Sequence, residues 1–178
     1  MKKTLVLVAL VFCSFLTFAQ KFACVDSEYI LNNLPEYKQA QKELEDVSLQ
    51  WQKEIENKLA AVDKLYKQYQ AEALLLPEEL KTKKENEIVA AEKEAKNLQK
   101  QRFGNEGDLS KKRAELIKPI QDRIYNAIEK VAQEKSYNAV FDKGAGATIL
   151  YIDAKTDISD LVLAELGYKV NSNNSSKK

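Results

Sequence analysis

The chain has 178 residues, 28 of them Lys or Arg against 27 Asp or Glu, and no histidine. Without histidine it lacks the commonest general base, the commonest metal ligand and the usual partner of a serine or cysteine nucleophile. There is also no phosphate-binding glycine loop, paired-cysteine zinc spacing or dinucleotide fingerprint, so no catalytic, cofactor or metal site is expected and the chain does not read as an enzyme. The formal charge of +1 becomes −1 once Lys2 and Lys3, the only charges before Gln20, are set aside, and no basic excess remains for nucleic acid.

Lys2 and Lys3 precede an apolar stretch from Leu5 to Leu16, and Thr17-Phe18-Ala19 is a cleavage sequence, the arrangement of an export signal over residues 1–19. Counted on to Ala19 the uninterrupted apolar stretch is about 15 residues, short of the ~20 that a spanning helix needs, so stable membrane insertion is not expected. Cleavage leaves Cys24 as the single cysteine, a small buried hydrophobe rather than a disulfide partner.

Residues 22–26 form a short apolar run, the pattern of a strand buried on both faces. Ser27 to Leu34 reads as one or two helical turns, and Pro35 starts a much longer helix. Its apolar positions run through Leu44, Val47, Trp51, Ile55, Leu59, Val62, Tyr66, Tyr69, Ala73 and Leu76. Consecutive steps of four around Trp51, Ile55 and Leu59 place this repeat nearer eleven residues than seven. Pro77 with Glu78 and Glu79 opens a new helix after a reversal near residues 75–78. The returning stripe passes through Leu80, Ile88, Ala91, Ala95, Leu98, Leu109, Leu116, Ile120, Ile124, Ala127 and Val131. Gly104, Gly107 and Pro119 weaken that helix and are candidate hinges, with a local break that merely starts a new helix as the alternative.

Residues 138–142 repeat the character of the first strand, and residues 148–153 read as another that would pair with it as a hairpin. Asp157 caps a last helix over 157–166 with Gly167 as its stop, and residues 170–178 form a polar tail. The expected base core is Phe22, Cys24, Val25, Val140, Phe141, Ile149 and Tyr151. Residues 20–35 and 119–169 thus make one small α+β base from which a mostly α-helical hairpin arm, residues 36–118, projects. Three strands and about 60 residues fall below the usual size of a self-sufficient core, and oligomerisation is the economical solution.

Two surface features stand out near the reversal. Leu74, Leu75 and Leu76, with Leu80 beyond, offer more apolar surface than a two-helix turn buries on itself; they are either a gripping patch or a local staple. Lys81, Lys83 and Lys84 follow and either steer an acidic partner or form a solvated face.

The order and spacing of the opening strand ending in Val25-Asp26, the helical insertion, Pro119-Ile120-Gln121 through Val131-Ala132, Tyr137 to Asp142, and Asp157-Ile158-Ser159 resemble the Skp/OmpH family of periplasmic chaperones. The resemblance implies a homotrimer in which strands of three chains build a shared body and three coiled-coil arms surround a cavity. It also implies capture of unfolded outer-membrane β-barrel proteins in the periplasm without ATP. A structural coiled-coil envelope protein without client binding is the alternative. The best-known members are strongly basic, and this near-neutral chain departs from them.

Overall fold

A computed structural model describes residues 21–144, 146 and 149–169. The expected export signal, Thr148 and the polar tail lie outside the described residues. The elements in chain order are β1 (Phe22–Val25), α1 (Ser27–Asn33), α2 (Pro35–Glu72), α3 (Glu78–Phe103), α4 (Asp108–Lys135), β2 (Ala139–Asp142), a 3-10 turn (Ala154–Thr156) and α5 (Ser159–Glu165). The protein is mostly helical with a long helical hairpin, as expected, and the described residues form a two-stranded sheet. None of the described helices is long and apolar enough to cross a membrane.

The chain divides into two compact units, one of residues 34–122 and the other of the segments on either side. In the second, β1 and β2 pair in parallel, Phe22 opposite Ala139 and Val25 opposite Asp142. Parallel pairing follows from topology, because strands separated by a helical crossover enter the sheet in the same direction. On its other side β1 takes a bridge from Asp157, and Ile158 N donates to Cys24 O at 2.8 Å. The run Ala23-Cys24-Val25 is therefore central and buried.

The expected hairpin of 138–142 with 148–153 is corrected: β2 pairs with β1, and Ile149–Asp153 form no strand. Both sides of β1 are taken, by β2 and by Asp157, and Ile149–Asp153 do not pair with the other edge of β2. The expected base core is corrected with it. Cys24 and Val25 are buried, Val140 and Ile149 are half-buried, and Phe22, Phe141 and Tyr151 are exposed. The core is helical instead, with Ile30 of α1 and Ile124, Ala127 and Val131 of α4 buried alongside Ile158, Val162 and Leu163. Helix α1 packs on α5. Asp157 Oδ1 accepts from the N–H and the hydroxyl of Ser159 at the start of α5, and Gly167 leaves the helix at φ 89°.

In the hairpin unit, α2 runs 38 residues, a length of about 57 Å at the usual helical rise. Partners on α2 fall in number as those on the return rise: Tyr69 with Glu85, Lys58 with Glu94 and Trp51 with Phe103, the antiparallel arrangement of a hairpin. The covered positions of α2 include Leu44, Ser48, Trp51, Ile55, Lys58, Val62, Leu65 and Tyr69, with Ala40, Val47 and Glu54 also covered, and those of α3 include Lys81, Lys84, Ile88, Ala91, Ala95, Leu98 and Arg102. Along α3 and from Leu44 to Tyr69 of α2 these positions step alternately by three and four, a seven-residue repeat where the longer one was expected, whereas Ala40, Leu44 and Ser48 are spaced by consecutive fours. Leu59 and Tyr66, read as part of the packed stripe, are about half exposed.

Candidate interaction surface

The reversal of the hairpin is built by residues 73–77. Ala73 N donates to Tyr69 O and Leu75 N to Glu72 O, which tightens the last turn, and Pro77 supplies the extended residue before α3. Polar pairs then close the hairpin, with Lys84 Nζ 2.8 Å from Glu72 Oε2 and the Tyr69 hydroxyl donating to Glu85. That hydrogen bond to a carboxylate raises the Tyr69 phenol above its ordinary pKa.

With the turn sealed this way, Leu74 and Leu75 stay outside it, 96% and 88% exposed. A staple would have to bury them, so of the two readings of these leucines the staple fails for both. Leu76 is half-buried and Leu80 45% exposed. The lysines divide: Lys81 pairs with Glu78 at 2.7 Å, Lys84 with Glu72, and Lys83 is exposed. Two of the three cations thus have carboxylate partners, which weakens a steering role. The turn thus presents Leu74 and Leu75 to solvent, flanked by the Lys81–Glu78 and Lys84–Glu72 pairs.

A second apolar surface lies in the other unit. The rings of Phe22 and Phe141 stand 6.1 Å apart on the sheet and are both about half exposed, and Leu150 and Tyr151 are 94% and 85% exposed. Sequence reasoning put three of these four in a core because it counted apolar strand residues without knowing which face the chain covers.

Cys24, within β1, is fully buried, and its thiol is pushed up by burial and by the nearby Asp157 carboxylate. A thiol held protonated and covered is a packing group. Burial alone would raise the Asp157 carboxyl, but hydrogen bonds from the Lys143 ammonium at 2.6 Å and from Ser159 hold it below the usual carboxylate range. The same pair raises Lys143. Among the described residues no group of three His, Cys, Asp or Glu side chains is placed to hold a metal ion.

The candidate hinges behave differently from one another. Gly104 and Gly107 lie in a true interruption between α3 and α4, whereas α4 runs through Pro119 unbroken, with that proline exposed.

A small sheet with short helices and a long antiparallel helical hairpin defines a helical-arm class of protein. The family model described as "Outer membrane protein (OmpH-like)" matches residues 21–166. This chain belongs to the OmpH-like family. It is 35% identical over 166 residues to an uncharacterized protein of Aquifex aeolicus (strain VF5), covering 93% of this chain and 96% of that one. Its fold is similar to the crystal structure of an OmpH-like protein from Caulobacter crescentus CB15, described as a candidate outer-membrane chaperone. The TM-score is 0.68 at 15% identity, over 83% of this chain and 84% of that one.

Proposed function

We propose that the protein is a non-enzymatic, ATP-independent holdase of the periplasm that binds unfolded outer-membrane proteins and keeps them from aggregating, and that it works as a homotrimer. The observation that carries this reading is the pair Leu74 and Leu75, held almost wholly in solvent at a turn that its own ion pairs close without them. Large apolar side chains kept out of a core at such a point are a standing cost in solubility and mark a binding surface. Many weak apolar contacts suit clients that share exposed hydrophobic segments but no common shape. Membership of the OmpH-like family, the resemblance of the Caulobacter fold and the export-type N-terminus support the same reading.

The test is suppression of aggregation when a urea-unfolded outer-membrane β-barrel protein is diluted into buffer with the purified protein. The parent is expected to suppress light scattering at a near-stoichiometric ratio. Leu74→Ser combined with Leu75→Ser is expected to lose most of that protection while unfolding within about 0.5 kcal/mol of the parent, because exposed positions contribute little to stability. A parent that leaves scattering unchanged would favour a structural coiled-coil spacer, and full protection by the double variant would move the contact surface elsewhere.

A further inference from the structure

The return limb of the hairpin is interrupted between Phe103 and Asp108, yet its pairing with α2 continues across the gap. Phe103 meets Trp51 on one side, and Lys112 pairs with Glu43 at 3.0 Å on the other. The covered positions Lys81, Ile88, Ala95, Arg102, Leu109 and Leu116 keep their seven-residue spacing through the break. A break that preserves phase is not a slack loop.

Its backbone is tight as well. Gly104 N donates to Lys100 O at 2.8 Å, Gly107 N to Gly104 O at 2.8 Å, and Lys111 N to Gly107 O at 3.1 Å, so the helix ends are partly satisfied by the break itself. Gly107 is buried, and a Cβ there would stand 2.7 to 2.9 Å from three backbone atoms.

Two side chains span the gap to Asp108: Gln101 Nε2 at a long 3.4 Å, and Arg102 at much closer range. Arg102, in the last turn of α3, donates from Nη1 to Asp108 Oδ2 at 2.7 Å, which joins α3 to the first residue of α4. Its Nη2 lies 3.4 Å from Glu54 Oε2, and its guanidinium carbon sits 4.7 Å from the centre of the Trp51 ring, so the same group grips α2 twice. Trp51 is braced edge-on by Phe103 at 6.5 Å. A planar guanidinium can make the fork and the ring stack at once, which an ammonium cannot. The hold is incomplete, because Arg102 Nε is buried and has no hydrogen-bond partner. Opening would return that N–H to water, so the closed state carries a built-in incentive to release.

We propose that Arg102 is a latch on this interruption. Closed, it makes the two return helices pack on α2 as one limb; open, they uncouple and the limb bends at Gly104–Gly107. The flexibility is therefore gated by a charged clamp and not supplied continuously by the glycines. Since the carboxylates of Asp108 and Glu54 are partly exposed, salt weakens the clamp.

Hydrogen exchange on the full chain, without client, reads this directly and is independent of whether the protein is a holdase. Arg102→Gln is expected to speed exchange of the amides from residue 101 to 111 at least tenfold, with amides of residues 60–95 unchanged. Trp51 is the only tryptophan, so loss of the cation from its ring also shifts the intrinsic emission. Raising NaCl to molar concentration should accelerate the same amides in the parent and leave Arg102→Gln unaffected. Asp108→Asn, which retains the ring stack, is expected to fall between the two and supplies the test if Arg102→Gln does not fold. Parent-like exchange at 101–111 in both variants, or equal salt acceleration in parent and Arg102→Gln, would overturn the latch and leave ordinary packing.

Discussion

At Gly107 the sequence and the structure point to opposite outcomes for the same substitution. A glycine in a helical stretch costs about 1 kcal/mol against alanine, so alanine there is expected from sequence to stabilise the arm. The built Cβ instead meets Gln101 O, Gly104 N and Arg102 O inside 3 Å, all backbone atoms that cannot rotate away. Gly107→Ala is therefore expected to lower stability by ~1–3 kcal/mol, because a buried backbone segment must shift. Urea unfolding followed by far-ultraviolet circular dichroism checks it, and a raised midpoint would mean that helix propensity outweighs the crowding. Trp51 makes a related point. Its place on the packed stripe was legible from spacing, but its cation partner was not, because Arg102 comes from another helix at a distance of 51 residues in sequence.

Between elements, the junction of β1, β2 and α5 rests on charge. Lys143 Nζ lies 2.6 Å from Asp157 Oδ2 and 3.8 Å from Asp26 Oδ2, and the Asp26 backbone N–H donates to Ser159 Oγ at 2.8 Å. Asp157 is held below its unfolded value of about 3.9, so its contribution is present above that pH and lost as pH falls through the lower folded value. Lys143 is raised above about 10.4, so its contribution is complete below that pH and lost as pH rises through the folded value. The melting temperature should accordingly be flat between about pH 5 and 9 and fall on the acid side below about pH 4. Asp157→Asn should lower the plateau and blunt the acid limb, and an unchanged acid limb in that variant would assign acid unfolding to other carboxylates. The start of α2 at Pro35 and of α3 just after Pro77 was legible because proline acts locally, whereas the return, a single helix by periodicity, is two. The phase of the arm was not: apolar identity selected Leu59 and Tyr66, whereas the seven-residue geometry covers Lys58 and Leu65. Lys58 reaches that place by laying its stem inward and its ammonium on Glu94.

For the molecule as a whole, the open question raised by these elements is what covers the sheet. Two strands of four residues are marginal alone, and parallel strands are ordinarily covered on both faces. Here the outward rings of Phe22 and Phe141 stay half in water, and Ile149–Asp153, strand-like in composition, form no strand within the chain. A strand-like segment left unpaired, beside a two-stranded sheet whose β2 edge takes no strand among the described residues, suits elements completed by another copy. The homotrimer proposed above follows from that deficit and from the family resemblance, and it predicts linkage between association and folding. Sedimentation at micromolar concentration should give three subunits, and the melting temperature should rise with protein concentration. Phe141→Glu, which places a charge on the uncovered face without disturbing a buried side chain, should shift the population to monomer and lower the melting temperature. The Leu74→Ser, Leu75→Ser double variant should remain trimeric. A well-folded parent monomer at that concentration, or a Phe141→Glu variant that sediments as the parent does, would mean that the exposed sheet face is not where copies meet.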